Sequence, residues 1–366
     1  MSRALPALHP TTRSLRFDVI VPAHNEAHAI AKTVSSLLQI NWPRDHFRVL
    51  VVADNCSDTT AALADAAGAT VLERSDTSRR GKGYALQFAF LRSRMDERAD
   101  AVVVVDADSV VSPNLLEALA ARIERGAHAV QVHHGVINAQ IAWRTRLLAI
   151  AVAAVHVVRS RAREWAQVSA GIRGNGWCVT HALLRQVDYN AFSLAEDLEF
   201  GIDLGLRGYR VFYAGEAEAC QEMVVDANAA KKQRQRWERG RFELIGSRTL
   251  PLLRAALRRR SALCLDLALD LIVLPLSYVV LNVGALLLIS VLAAHFYPAF
   301  DAWLWISLAC AACLVLYVLR GWQLSGTGAR GLLDLAGAPL FIIWKTALML
   351  ERKRSADWIR TERKIS

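Results

Sequence analysis

Short runs of aliphatic residues alternate with amphipathic segments along the first 130 residues of the chain. The aliphatic runs predict β-strands at 16–23, at 47–54, at 69–74 and in the valine run that begins at 102. The apolar spacing between them predicts helices at 26–40, 57–67, 83–95 and 113–124. This alternation of strand and helix favours an α/β fold with a doubly wound, mostly parallel sheet.

Apolar positions become nearly continuous further along the chain. Residues 140–164 form a long apolar helix pattern, but its uninterrupted core of about a dozen residues is too short to span a bilayer. We therefore expect a buried or membrane-grazing helix there. Two longer stretches, at about 268–294 and 302–319, predict membrane spans, and the first contains Pro275, which membrane helices tolerate.

The basic residues around these stretches predict an orientation. No Lys or Arg occurs between Ser261 and Leu319, whereas Arg260 and Arg320 flank the two spans. The positive-inside rule then predicts a multi-pass protein of the inner (plasma) membrane with a cytoplasmic catalytic domain. A third segment, 332–350, would carry the basic tail to the outside if it spanned. We interpret it as re-entrant or interfacial, with a third span as the alternative.

Composition supports a membrane-associated protein. The apolar fraction is 54% and the formal net charge is +10. Either nucleic acid or an anionic membrane surface is attracted by such a charge. No nucleic-acid motif is recognisable and the basic residues concentrate beside the apolar stretch, so we expect the membrane and no nucleic acid. The six scattered cysteines indicate a reduced, cytosol-facing protein.

Two acids directly follow the valine run. Asp106 and Asp108 would lie at the carboxyl end of a buried strand, where open α/β sheets bind ligands. Their i, i+2 spacing can turn both carboxylates toward one point, and two converging anions repel unless a positive charge separates them. A Mg²⁺- or Mn²⁺-type ion fits and keeps positions for phosphate oxygens. A loop with solvated acids is the alternative.

Other charged residues lie at predicted element ends. Asp54 ends the second strand, where it can accept hydrogen bonds from a nucleotide or form an Asx-turn or helix cap. Lys82 lies between glycines at a helix start, which suits an anion. Glu196 and Asp197 open a later helix, where acids also serve as simple partners of the helix dipole.

The segment "QRQRWERGR" is the last candidate. Gln233, Arg236 and Trp237 lie in a strongly basic stretch. Arg236 can neutralise a departing diphosphate, and Trp237 can stack on a sugar face. A basic amphipathic face that lies on the membrane is the alternative interpretation.

In this order, the acids, Lys82 and the Gln-x-x-Arg-Trp pattern resemble the membrane-bound branch of the inverting family-2 glycosyltransferases. That branch includes cellulose, hyaluronan and poly-N-acetylglucosamine synthases and ceramide-glucosyltransferase-like enzymes. The resemblance covers about residues 17–245. It implies a nucleotide-sugar-binding, GT-A-type (Rossmann-like) mixed-sheet domain followed by C-terminal transmembrane helices. The expected organisation is a tail at 1–15, the catalytic domain at 16–245, a basic interfacial segment at 246–262, the membrane region at 263–350 and a basic cytoplasmic tail at 351–366.

The resemblance also implies roles for individual residues. Donor binding falls to Pro22, Ala23, Glu26, Asp54, Lys82, Asp106, Asp108, Gln233 and Arg236. Asp108 would act through a bound Mg²⁺ or Mn²⁺. Asp197 matches the family's general base, with Glu196 beside it. Acceptor binding falls to Trp237 and, in the segment "RGNGWCVT", to Trp177 and Cys178.

The implied function is transfer of a sugar from a nucleotide sugar, expected to be a UDP-sugar, to a membrane lipid or lipid-linked saccharide. The product would be a glycolipid or a precursor of cell-surface polysaccharide. The chain departs from the synthases at Ala195, where they usually carry Thr, and it shows fewer spans than polymer-secreting relatives use. A processive polysaccharide synthase that works as a homo-oligomer or with partner proteins remains the alternative, and a non-enzymatic scaffold is a further one.

Overall fold

An eight-stranded mixed sheet lies at the centre of the computed structural model, which describes residues 9–224 and 227–339 together with Ile342. Its strands are β1 (Phe17–Ala23), β2 (Phe47–Asp54), β3 (Thr70–Arg74), β4 (Ala101–Val104), β5 (Ser109–Val111), β6 (Ala129–Val136), β7 (Trp177–Thr180) and β8 (Val211–Gln221). Their order across the sheet is β3-β2-β1-β4-β7-β6-β8-β5.

The two halves of the sheet differ in strand direction. The strands β3, β2, β1 and β4 are all parallel, as the alternating pattern predicts. In the other half, β7 runs antiparallel to both β4 and β6, and β5 runs antiparallel to β8. Because β6 and β8 are also parallel to each other, parallel pairings predominate as the pattern predicts, and the mixed sheet implied by the resemblance is confirmed. The helical segment 143–165 lies between β6 and β7, and the loop 173–176 then leads directly into β7.

The described helices are α1 (Ile30–Leu38), α2 (Thr60–Ala66), α3 (Lys82–Asp96), α4 (Leu115–Ile123), α5 (Trp143–Ala153), α6 (Arg159–Trp165), α7 (His181–Leu184), α8 (Glu196–Leu206), α9 (Ala227–Arg259), α10 (Ala262–Ile272), α11 (Leu276–Phe296), α12 (Asp301–Leu324) and α13 (Gly328–Leu335). A π-helical turn, Ala154–Val158, joins α5 to α6, so the apolar pattern at 140–164 forms one nearly continuous helix.

Helices cover both faces of the sheet because successive strand residues point to opposite sides. Val19 and Val21 pack with α1 and α4 in one hydrophobic core. Ile20, between them, packs with α3, α7 and α8 in the other. A third, smaller core joins α8, α9 and α10, and α9 passes through the predicted boundary at 245 without interruption.

Within the described residues, two helices are long and apolar enough to cross a membrane: Leu276–Phe296 and Pro298–Leu324, the second of which includes α12 and the short turn before it. The second contains the predicted span at 302–319. The predicted start of the first span, at 268, is wrong. The chain leaves helical geometry before Pro275, which lacks the N–H that a helix interior needs, and the preceding residues form α10, which packs on the catalytic domain.

The α12 helix packs directly on the helix formed by 140–164. The Tyr317 hydroxyl donates to the carbonyl of Ala154 at 2.8 Å, and Gly321 lies against the same residue. After α12, the ion pair of Arg146 and Asp334, at 2.5 Å, fastens α13 to α5. The remainder of the predicted segment 332–350 and the tail at 351–366 lie outside the described residues except for Ile342, as do residues 1–8.

Candidate active site

The site is built around Lys82 in the first turn of α3. Its Nζ donates to Asp106 Oδ1 at 2.6 Å and to the carbonyl of Gly174 at 3.0 Å, and it lies 3.5 Å from Glu196 Oε1. Gly81 precedes the helix with φ +126°, a backbone conformation that favours glycine. Three separate segments therefore meet at one ammonium group.

A buried loop before β7 supports this meeting point. The Asn175 side chain accepts from the backbone N–H of Asp106 at 3.0 Å and donates to Ser109 Oγ at 2.9 Å. Gly174 has φ +91°, and a Cβ atom there would lie 3.3 Å from Asp197 Oδ2. The glycine allows the loop to approach the carboxylate, and the asparagine fixes the turn that carries the strand-end acids.

The charges of this site are unbalanced. Burial raises the pKa of Glu196, and Asp197 adds to this, while Lys82 opposes it. Burial likewise raises the pKa of Asp197, against the effect of Lys82. Burial alone would lower the pKa of Lys82, but Asp106 and Glu196 raise it on balance. One ammonium group thus faces the three carboxylates of Asp106, Glu196 and Asp197.

Asp108 lies in the turn between β4 and β5, two residues after Asp106. Its Oδ1 accepts a long hydrogen bond of 3.4 Å from Ser109 Oγ. Within the described part of the chain, no three His, Cys, Asp or Glu side chains gather with the geometry of a metal site.

The predicted nucleotide-binding residues gather at neighbouring strand ends. Pro22 and Ala23 end β1, and Asp54 ends β2, which is its parallel neighbour. Asp54 is buried, and its carboxylate accepts from Arg74 Nη1 at 2.5 Å. Glu26 lies just after β1 and is half-buried. These residues share one edge of the sheet with Asp106, as the strand pattern predicts.

The Gln-x-x-Arg-Trp pattern lies on α9. Gly240 packs so closely on the start of α8 that a Cβ atom there would lie 3.0 Å from the backbone N of Ala195, the residue before Glu196 and Asp197. Arg236 is one turn before Gly240, and Gln233 is about two turns before it, so the helical repeat places them toward the same face. The Trp237 side chain is exposed.

Trp177 and Cys178 are buried in β7. Trp177 packs edge-on against Phe90 in one core, and Cys178 belongs to the core on the opposite face of the sheet. Burial raises the pKa of the Cys178 thiol well above its ordinary value. Neither side chain, as placed, can contact an acceptor sugar, because each is enclosed by the core.

Sequence reasoning missed the residues that hold the loop. Gln131 is buried in β6; its side chain donates to the carbonyl of Asn175 at 2.7 Å and accepts from the N–H of Arg173 at 2.8 Å. The available signals were a glutamine between two valines, in "AVQV", and an asparagine between two glycines, in "RGNG". Either pattern indicates a polar contact and leaves its partner unidentified.

Comparison with known proteins gives a consistent identification. Residues 15–240 match the family described as "Glycosyltransferase like family 2". The chain is 25% identical to the probable glycosyltransferase YdaM of Bacillus subtilis, over 65% of this chain and 58% of that protein. It is 28% identical to the β-monoglucosyldiacylglycerol synthase of Synechocystis, over 62% of this chain and 47% of that protein. The chain thus spans about half the length of the curated relatives that it matches.

Among solved structures, one similar chain is the mannosyltransferase PcManGT from Pyrobaculum calidifontis in complex with GDP-Man and Mn²⁺. The match has a TM-score of 0.49 and 19% sequence identity, and it covers 85% of this chain and 88% of that chain.

Proposed function

Because the chain belongs to glycosyltransferase-like family 2, we propose that it transfers a sugar from a nucleotide sugar to a membrane lipid or lipid-linked acceptor, with inversion at the anomeric carbon. The observation that carries this proposal is the group of three carboxylates around Lys82 at the carboxyl edge of the sheet. A relative named as a glucosyldiacylglycerol synthase supports the lipid acceptor.

The donor would lie across the ends of β1, β2 and β4. Pro22, Ala23, Glu26 and Asp54 would hold the base and ribose of a UDP-sugar. Asp108 would hold Mg²⁺ or Mn²⁺ together with the donor diphosphate, since hard cations prefer oxygen ligands and keep positions for phosphate. The excess of negative charge at this site suits a cation. When bound, the ion would stabilise charge that develops on the leaving diphosphate.

Asp197 would act as the general base. An acceptor hydroxyl has a pKa far above neutrality, so a carboxylate must take its proton as it attacks. The acceptor oxygen then forms a bond to the anomeric carbon while the bond from that carbon to the diphosphate oxygen breaks. The electron pair leaves with the diphosphate oxygen, and Lys82, Gln233 and Arg236 would stabilise the resulting negative charge. A single displacement converts an α-linked donor into a β-linked product.

Trp237 would bind the acceptor at the membrane boundary. Its ring is exposed and lies four residues after Gln233 on α9. The C-terminal part of α9 packs on α10, which immediately precedes the first apolar helix. An acceptor headgroup presented at the boundary would meet this ring from the side opposite the donor.

The proposed orientation places the catalytic domain in the cytoplasm and the connection between α11 and α12 outside. A cysteine at Ala299, in that connection, should react with a membrane-impermeant thiol reagent in intact cells. A cysteine at Ala329, an exposed alanine after α12, should react only after permeabilisation. Labelling of Ala329→Cys in intact cells would overturn this orientation.

Transfer itself is tested by incubating the purified protein with a panel of nucleotide sugars, Mn²⁺ and native membrane lipids, followed by mass spectrometry of the lipid fraction. We expect one donor to yield a lipid heavier by one or a few sugar units, and Asp197→Asn to yield none. A high-mass, water-soluble polysaccharide made without added lipid would favour the processive synthase instead. Failure of every donor to react would favour a non-enzymatic scaffold.

A further inference from the structure

A second buried ion cluster surrounds Asp270 on α10. Arg159 Nη2 and Arg163 Nη1 lie 2.5 and 2.8 Å from its Oδ1, and Arg173 Nη2 lies 3.4 Å from its Oδ2. Arg241 of α9 donates to the carbonyl of Asp270 at 2.9 Å. We refer to Asp270 and these four arginines, together with Asp266 described below, as the arginine cluster.

The arginine cluster carries more positive than negative charge. Asp266 pairs with Arg163 and is the second carboxylate of the group. Four guanidinium groups therefore share two carboxylates, which leaves an excess of two positive charges. Burial and the neighbouring charges of Arg173 and Arg163 lower the pKa of Arg159 to about 10, although Asp270 opposes this. Such repulsion is relieved when an anion enters.

Two polar atoms of the cluster have no hydrogen-bond partner within the described residues: Asp270 Oδ1, which the ion pairs with Arg159 and Arg163 already engage, and Arg241 Nε. The Nε of Arg241 is buried and has no hydrogen-bond partner within the described residues, although its Nη2 donates to the carbonyls of Asp270 and Val273. A buried donor without a partner costs about 1–3 kcal/mol. A guanidinium group matches the oxygens of a phosphate better than any other common side chain does.

The position of the cluster indicates which anion would bind. Arg173 directly precedes Gly174, which contacts Lys82 and lies against Asp197, and Arg241 follows Trp237 by one helical turn. The cluster also borders α10, which leads into the first apolar helix. It therefore lies beside the acceptor side of the site and at the membrane boundary, whereas the acidic donor site lies beyond the loop.

We propose that the arginine cluster binds the phosphate group of a membrane lipid and that this lipid is the acceptor. The acceptor role of this lipid rests on the proposed transferase function. The phosphate site itself can be tested without any sugar transfer. The proposal predicts that the product is a glycosylated lipid that retains a phosphate group.

Lipid binding is measured with the full-length protein in nanodiscs of digalactosyldiacylglycerol, a bilayer lipid without phosphate, that contain increasing phosphatidylglycerol, with bound lipid detected by native mass spectrometry. We expect selective retention of phosphatidylglycerol, about tenfold weaker in Arg241→Gln and in Arg159→Gln, because each removes a charge-assisted contact. Arg146→Gln is the matched control, since Arg146 is similarly buried near the apolar helices but has its own partner, Asp334. It should retain the lipid as the unchanged protein does.

Two further arms separate the sources of negative charge. Oleate carries charge without phosphate, and inorganic phosphate lacks the lipid. We expect oleate to be retained less than phosphatidylglycerol, and we expect inorganic phosphate to displace little of the bound lipid. Equal retention of oleate, or unchanged retention in both arginine variants, would overturn the phosphate site. Full displacement by inorganic phosphate would overturn the lipid as the ligand of that site.

The acceptor role has its own readout. Fragmentation of the glycosylated lipid found in the donor screen should release a phosphate-containing fragment. A product formed only on neutral lipid would overturn the acceptor assignment even if phosphatidylglycerol is retained. If lipid retention follows the arginine variants but no donor reacts, the transferase function fails and the phosphate site stands.

Discussion

Two buried ion clusters lie on opposite sides of the loop 173–175 and carry opposite excess charge. Around Lys82, three carboxylates share one ammonium group. Around Asp270, four guanidinium groups share two carboxylates. Other buried carboxylates are balanced by one cation each; Glu216, for example, pairs with Arg122 at 2.8 Å. Since an unpaired buried charge is costly, each excess indicates the charge of the ligand that the cluster receives.

Under the proposed function, one loop would separate two reactants of different chemistry. The acidic side would take a cation together with the donor diphosphate. The basic side would take the phosphate of a membrane lipid. Arg173, Gly174 and Asn175 connect the two sides through Asp270, Asp197 and Asp106, respectively. The predictions below remove or reverse charge on one side and measure what happens on each.

The largest effect is expected from the proposed base. Asp197→Asn should lower kcat by roughly 10²–10⁴-fold, because the acceptor hydroxyl loses the group that takes its proton. Donor KM should change little. Asp203→Asn is the matched control on the same helix, since Asp203 pairs with Arg248 at 3.3 Å away from Lys82, and it should stay near the unchanged rate. Collapse of donor binding with normal turnover per bound donor would contradict the base assignment.

Substitutions of Arg236 and Trp237 should affect different reactants. Arg236→Ala should weaken binding of a nucleoside diphosphate by about tenfold or more, because a charge-assisted contact is lost. Trp237→Ala should raise the KM for the lipid acceptor and leave diphosphate binding unchanged. Calorimetric titration with UDP and acceptor-dependent rates measure the two effects. An equal loss of UDP affinity in both variants would show that the assignment of roles is wrong.

The acidic cluster should also set the pH dependence of the reaction. Burial raises the pKa of Glu196 to about 7 and raises the pKa of Asp197 as well. A base must be deprotonated, so kcat should fall as the pH drops through the raised pKa, by about tenfold per unit well below it. Lys82 holds both pKa values down, so Lys82→Met should move the midpoint to higher pH. An unshifted midpoint in that variant would contradict the electrostatic coupling.

The smallest effect is expected on the basic side. Asp266→Asn removes one carboxylate and increases the positive excess of the arginine cluster, so retention of phosphatidylglycerol should strengthen by roughly two- to fivefold, the scale of a partly exposed ion pair. The direction is the important result, because most substitutions in a binding site weaken binding. Weaker retention, measured in the same nanodiscs, would argue that Asp266 supports the site rather than opposing its charge.

The donor side could be predicted from sequence because its signals are local. Aliphatic runs identify β1, β2 and β4, and the acids that follow them, Asp54, Asp106 and Asp108, lie where parallel strands end. The family pattern added Asp197 and Arg236, and α9 packs beside Asp197 through Gly240. The local sequence pattern thus predicts which residues lie at the carboxyl edge of the sheet, even when the residues that contact them are unknown.

The basic side could not be predicted in the same way. Asp270 lies about a hundred positions from Arg159 and Arg173, so no local pattern connects them. Hydropathy predicted that Asp270 lies in a membrane span. The helix breaks before Pro275, and Asp270 belongs instead to α10, which precedes the break. The burial of Trp177 and Cys178 could not be predicted either. Their strand is buried on both faces, with one residue in each core, so its sequence shows no alternation between apolar and polar residues.

The most direct test of the account is Mn²⁺ binding measured by electron paramagnetic resonance in the presence of UDP, with one variant from each side of the loop. We expect the unchanged protein and Arg241→Gln to bind Mn²⁺ with UDP equally well, and Asp108→Asn to bind it at least about tenfold more weakly, because a carboxylate ligand to a hard cation is lost. Equal Mn²⁺ binding by Asp108→Asn, or a comparable loss in Arg241→Gln, would contradict the division of the site into an acidic donor side and a basic acceptor side.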